Sequence, residues 1–173
     1  VPGNVYPYGM EPGPWNADTP HRPVARKGRI RAEMEAAGLS VAQRSLGEEP
    51  GRSDVYLADT LGEMGLWLDL APIAFIGGSL VAVGGHNAYE AVAHGSAVIT
   101  GPEVSNFAAL YDSLLSAKGA VMVLGARALA DTILALDDPA RHKAQTEAAE
   151  SAIRAESDAT AETAALILSL LKP

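Results

Sequence analysis

The stretch Ile73 to Glu90, IAFIGGSLVAVGGHNAYE, restricts what this chain can fold into more than any other. Ile73-Ala74-Phe75-Ile76 is a short apolar run that ends at a glycine pair, which predicts a buried strand. Gly77-Gly78-Ser79 breaks it, and Gly84-Gly85 leads into His86-Asn87-Ala88-Tyr89-Glu90 and a helical pattern. A strand, a glycine-rich connection and a polar helix start suit an anionic ligand. Glycines let backbone N–H groups come close, and the helix dipole favours negative charge. The functional part of the chain is expected here.

The rest of the chain alternates in the same way. Short strands are expected at Leu39–Arg44, Val55–Ala58, Ser96–Thr100 and Ala120–Leu124. Helices are expected from Arg22 to Ala37, Leu61 to Leu70, Glu90 to His94, Val104 to Ala117 and from Ala126 almost to the end. On the Val104–Ala117 helix, Phe107, Leu110, Tyr111, Leu114 and Leu115 share one face. This alternation predicts an α/β fold with a parallel sheet between helices, a Rossmann-like three-layer domain over residues 21–173. Residues 1–20 carry prolines at 2, 7, 12, 14 and 20 and read as an irregular arm. The chain opens on Val and is expected to be part of something longer.

Composition excludes several classes. Hydrophobic residues make up 48% of the 173, which is that of a folded globular chain. A net charge of -8 argues against a nucleic-acid partner. The chain has no cysteine, so thiolate chemistry and Cys-type zinc sites are out. No run of about 18 apolar residues offers a membrane span. His21, His86, His94 and His142 lack zinc-like spacing, so no metal site is expected. Neither a Gly-x-Ser-x-Gly elbow nor a P-loop is present.

Parallel sheets bind ligands beyond the carboxyl ends of their strands. That singles out the loops after Ala58, Ile76 and Thr100. In the first, Asp59-Thr60 can cap a helix starting at Leu61, with Glu63 in the capping-box position. Alternatively, Gly62 exposes backbone donors while Glu63 accepts from a hydroxyl or pins a neighbouring loop. In the second, Asn87 and Glu90 are three apart on one face of a helix's first turn, where Asn87 can hydrogen-bond a ligand and Glu90 can accept from the two hydroxyls of a ribose. A carboxylate there also simply favours the helix dipole. The basic cluster Arg22, Arg26, Lys27, Arg29 and Arg31 reads equally as a solvated helix face.

Together these motifs resemble the carboxyl-terminal domain of the Kdo transferases, where Kdo is 3-deoxy-D-manno-octulosonate. The family's D-T-x-G-E-L/M is similar to Asp59-Thr60-Leu61-Gly62-Glu63-Met64, and its F-I/V-G-G-S-L to Phe75-Ile76-Gly77-Gly78-Ser79-Leu80. Its G-G-H-N-x-x-E stands at Gly84 to Glu90, and T/H-G-P-x-x-x-N-F is similar to Thr100-Gly101-Pro102 with Asn106-Phe107. The resemblance runs from about Gly38 to Leu115. The family's P-R-H-P-E-R segment, counted back without gaps, puts its arginines on Arg22 and Arg26; here His21 and Pro23 depart from that order.

The resemblance implies the donor-binding half of a GT-B glycosyltransferase that moves Kdo from CMP-Kdo to a lipid A precursor in lipopolysaccharide biosynthesis. It implies CMP contacts at Arg22, Leu61, Gly62, Glu63, Asn87, Ala88, Tyr89 and Glu90. Arg26, Gly78, Ser79, Gly85 and His86 would support that site. No cofactor is implied. The catalytic base, the acceptor surface and the membrane anchor would lie on an amino-terminal domain beyond this sequence. The whole enzyme would work at the cytoplasmic face of the bacterial inner membrane, and the present chain would be soluble and inactive alone. Two other readings share these features. One is a GT-B transferase or epimerase using a UDP-sugar. The other is a non-catalytic module whose acidic surface and long terminal helices serve a homo-oligomer.

Overall fold

The structure is a computed structural model that describes residues 23–156 and 158–170; the expected arm at 1–20 and Arg22 lie outside the described residues. The chain divides into two compact units, residues 1–67 and 68–173.

The first unit opens with α1, Pro23–Ala36, and continues through β1, Val41–Gln43, and β2, Val55–Leu57. The two strands pair in parallel, with Ala42 opposite Tyr56. Helix α2, Met64–Leu70, begins at the end of this unit. The strands are shorter than the apolar pattern predicted. After β1 the chain turns at once into a 3-10 turn, Arg44–Leu46, because Asp59 captures both the backbone N–H and the hydroxyl of Ser45 (2.9 and 2.7 Å). Arg31 on α1 ties the helix to the strand by donating to the Val41 carbonyl and to Glu48, which in turn accepts from the Gln43 N–H.

The second unit carries β3, Ile73–Phe75, β4, Ala97–Thr100, and β5, Ala120–Met122, in the order β3-β4-β5, all parallel. Its helices are α3, Tyr89–Ala93; α4, Ala108–Ser116; α5, Ala126–Leu136; α6, Pro139–Glu156; and α7, Asp158–Leu170. The two-residue period of a strand sorts the core into two faces. Ala74, Val98 and Ala120 pack with Ala91 and Val92 of α3, with Leu110, Tyr111 and Leu114 of α4, and with Ala149 and Ala152 of α6. Ile73, Phe75, Ala97, Ile99, Val121 and Val123 pack on the other side with Leu129 and Leu136 of α5. Helices therefore cover both faces of a parallel sheet, as the alternation of elements predicted. The apolar stripe read along α4 is the buried one: Leu110, Tyr111 and Leu114 are enclosed, with Phe107 and Leu115 packed beside them.

All four residues of β4 are buried, as expected of a central strand covered on two sides. Gln145 of α6 donates to the Val98 carbonyl at 2.6 Å, and α6 passes so close to the start of β5 that a Cβ on Gly119 would lie 2.5 Å from the Ala149 Cα. Among the described residues, no helix is long and apolar enough to cross a membrane.

Candidate nucleotide site

The segments singled out by sequence fall in both units, and each is built by its own means. In the first unit the segment from Asp59 to Glu63 follows β2. The sequence predicted a helix from Leu61 capped by Asp59 and Thr60, but α2 starts at Met64. Two side chains explain the shift. Asp59 is engaged elsewhere, accepting from Ser45 and from the buried Gln43 amide (2.9 Å). Glu63 does not reach back to the backbone as a capping box requires. Its carboxylate takes a two-pronged bond from Arg44, with Nη2 on Oε1 at 2.7 Å and Nε on Oε2 at 3.2 Å, and the Thr60 hydroxyl donates to Oε2 as well. Gly62 meanwhile adopts a left-handed conformation, φ 83, which interrupts any helix. Arg44 and, after it, Thr60 hold the Glu63 carboxyl below the usual carboxylate range, and the same pairing raises Arg44 further.

In the second unit the glycine-rich connection after β3 is locked to the loop after β4. Ser79 is wholly buried; its hydroxyl donates to the Ile76 carbonyl (2.5 Å) and accepts from the Gly101 N–H (2.8 Å). Its carbonyl takes the Glu103 N–H (2.9 Å). Gly101 has to be glycine, because a Cβ there would overlap the Ser79 carbonyl. Asn106 grips the next part of the loop. Its side-chain amide donates to the Val83 and Gly85 carbonyls (3.1 and 3.4 Å), and its N–H to the Gly84 carbonyl (3.0 Å). Gly84 makes that contact possible with φ 92 and no side chain; a Cβ would sit 2.7 Å from the Asn106 amide. Finally Tyr111, fully buried on α4, donates to the His86 carbonyl (2.7 Å), and burial raises its own pKa.

This clamp sets out the turn that follows. The sequence placed Asn87 in the first helical turn with Glu90, but α3 begins at Tyr89. Asn87 instead accepts the Tyr89 N–H at 2.9 Å, an Asx-type turn that stands in front of the helix. His86, Asn87, Tyr89 and Glu90 are all exposed, while Ala88 is buried beneath them. Chemically this is a surface with three polar side chains, His86, Asn87 and Tyr89, and the Glu90 carboxylate displayed above a buried Ala88. Such a surface can hydrogen-bond hydroxyls and an amide-bearing ring.

No family model matches the chain. Over 135 residues, 76% of its length, it is 42% identical to a 3-deoxy-D-manno-octulosonic acid transferase of Bordetella pertussis. It is 41% identical over 92 residues to a protein of Arabidopsis thaliana described as a probable mitochondrial 3-deoxy-D-manno-octulosonic acid transferase. The crystal structure of the C-terminal CMP-Kdo binding domain of WaaA from Acinetobacter baumannii matches the fold with a TM-score of 0.72 and 29% identity, over 76% of this chain and 69% of that one. By sequence and by fold, the chain matches the Kdo transferase family. It spans about a third or less of its curated relatives, 32% of the Bordetella protein and 21% of the Arabidopsis one.

The motifs that resemble the Kdo transferases have distinct physical roles here. Gly78, Ser79 and Gly85 build the loop, with Ser79 buried and Gly85 packed against the Glu103 carbonyl. The His86 ring lies against Gly78, where a Cβ would come within 3.3 Å of it. Leu61, Gly62 and Glu63 stand together in the first unit, and His86 to Glu90 stand together in the second. Arg26 lies in α1. The sequence reading missed Arg44, which the structure makes the partner of Glu63, and the fastening roles of Asn106 and Tyr111. A basic residue directly after a strand, facing an acidic loop after the neighbouring parallel strand, was the available signal for Arg44.

Proposed function

We propose that the chain is the donor-binding domain of a Kdo transferase, a glycosyltransferase that moves Kdo from CMP-Kdo to a lipid A precursor in lipopolysaccharide biosynthesis. What carries this reading is the combined likeness in sequence and fold to a domain described as binding CMP-Kdo. Residues 21–173 act as the nucleotide-sugar domain. The Leu61-Gly62-Glu63 segment, the Asn87–Glu90 turn and Arg22 hold the CMP part of the donor. Gly78, Ser79, Gly85, His86 and Arg26 support them.

In the reaction, an acceptor hydroxyl oxygen bonds to the anomeric carbon of Kdo while the bond from that carbon to the CMP phosphate oxygen breaks. CMP leaves with the electron pair, and the hydroxyl proton passes to a base on sequence beyond these 173 residues. The residues here bind and orient the nucleotide and stabilise the charge it gains on leaving, through backbone N–H groups and Arg22. Neither His86 nor Glu90 exchanges a proton. The whole enzyme works at the cytoplasmic face of the inner membrane, and this chain alone binds donor without transferring it.

Calorimetric titration with CMP and UDP tests the reading, with Glu90→Ala and Arg22→Ala alongside. CMP is expected to bind in preference to UDP. Each variant should weaken CMP by about tenfold, the scale of one hydrogen bond to a charged group. Unchanged affinity in both variants overturns the site, and a UDP preference points to a UDP-sugar enzyme. Loss of all nucleotide binding with dimers retained points to an interaction module. Turnover by the chain with CMP-Kdo and acceptor overturns the claim that it transfers nothing alone.

A further inference from the structure

We propose that Arg44 is the positioning residue of the loop after β2, and that Glu63 serves this loop as the counter-ion of Arg44 and not as a ligand of the nucleotide. This rests on the reading of Leu61–Glu63 as part of the CMP site, and it reassigns the one carboxylate in that segment.

The Glu63 carboxylate is already occupied. An ionised carboxylate accepts about four hydrogen bonds. Three are taken, two by the Arg44 fork and one by the Thr60 hydroxyl. A ribose diol needs two acceptors, so it could bind Glu63 only by displacing Thr60 or one prong of Arg44. The fork is the strong form of the pair: planar, two-pointed and specific to arginine.

Arg44 is itself held at both ends. Its backbone begins the 3-10 turn after β1, and its carbonyl accepts the Gly47 N–H at 2.9 Å. Its guanidinium lies 5.8 Å from the centre of the Trp67 ring, within the range of cation–π attraction. Trp67 packs in turn on Tyr56 of β2, with ring centres 5.3 Å apart. The cation is therefore referenced to the sheet of the first unit.

The loop it holds has no packing of its own. Leu61 is 100% exposed, and Gly62 is exposed in a left-handed conformation. The Leu61 and Gly62 N–H groups make no backbone hydrogen bond among the described residues, which leaves both donors available to a ligand. What fixes their direction is the tether two and one residues later, Glu63 on Arg44. Without Arg44 the loop would both lose that tether and show a bare carboxylate to an anionic ligand.

The test combines CMP titration with backbone relaxation of the Leu61 and Gly62 amides in the ligand-free chain. The variants are Arg44→Ala, Arg44→Lys, Glu63→Ala, the double alanine and the charge swap Arg44→Glu with Glu63→Arg. Glu63→Ala and the double alanine should lose the same affinity, about tenfold, because contacting residues that act as one unit are not additive. Arg44→Ala should lose at least as much, because it alone leaves the Glu63 carboxylate bare. The swap should recover part of it, and Arg44→Lys should fall between, having charge without the fork. The Gly62 amide should loosen in Arg44→Ala while the β1 and β2 amides keep their rigidity, which separates positioning from unfolding. Additive losses, or a Gly62 amide equally rigid without Arg44, overturn the proposal. If the wild type binds no CMP, the function proposed above fails, and the amide measurement alone still decides the role of Arg44.

Discussion

The loop after β2 is held by charge, and the loop after β3 is held by shape. In the first, Arg44, Glu63, Thr60 and Asp59 lie at or near the surface and act through their side chains on a backbone that packs against little. In the second, Ser79, Gly101, Asn106 and Tyr111 use neutral groups, mostly buried, to fasten one backbone to another. The two arrangements should respond to different insults. A charge-held loop is sensitive to acid and salt, and tolerant of added volume. A shape-held loop is indifferent to acid and intolerant of a single methyl group.

The largest effect should come from adding that methyl at Gly101. The new Cβ would meet the Ser79 carbonyl, a backbone atom that cannot rotate away, so the two loops must separate. Gly101→Ala is expected to cost about 3 kcal/mol or more in a urea titration, the upper end for overpacking a filled interior. By comparison, Gly62→Ala meets no atom within 4 Å and suffers only from its φ of 83. A Gly101→Ala chain as stable as Gly62→Ala would break the distinction between the loops.

Removing a hydroxyl from the same place should cost less. Ser79→Ala keeps the volume but leaves the Gly101 N–H without its acceptor in a buried site. The expected loss is about 1–3 kcal/mol, the cost of stranding a buried polar group. Hydrogen exchange should show faster opening at Gly101 and Glu103 before any change in β1 or β2. A loss spread evenly over the chain would mean that Ser79 is not a local fastener.

How much of this was legible in the sequence follows the same division. The strands, the glycine connections and the buried face of α4 depend on local pattern, and each was readable from periodicity and glycine placement. The helix starts were misplaced where a side chain was claimed from far along the chain. For Glu63 the sequence offers a cap for its own helix or a pin for a neighbouring loop, and the second holds, through Arg44, 19 residues earlier. Asn87 was placed inside α3 because its spacing from Glu90 fits a helix. A bond to its near neighbour Tyr89 holds it outside. Ser79 and Asn106 were visible as members of motifs, yet a motif does not say that one is buried and the other wraps a glycine. Those facts depend on which loops the sheet order brings together.

The smallest expected effect tests the charge-held side. Glu63, Glu48 and Asp54 all have carboxyls lowered in the folded chain, by Arg44, by Arg31 and by the Ser40 hydroxyl respectively. A lowered folded value means the unfolded chain takes up protons first as pH falls. The stabilisation is therefore complete above the ordinary carboxylate range and drains away below it. Hydrogen exchange followed from pH 6 down to about pH 3, across that range, should show the β1 and β2 amides losing protection before those of β4. The loop bonds of Ser79, Asn106 and Tyr111 involve no carboxylate and give the second unit's loops no such dependence. Arg44→Ala should be less stable at pH 6 and show a shallower fall with acid, because the shift it imposes on Glu63 is gone. If β4 opens at the same pH as β1, or if Arg44→Ala leaves the acid slope unchanged, then charge is not what holds the first loop. The loop would then have to be held by the Trp67–Tyr56 contact beneath Arg44.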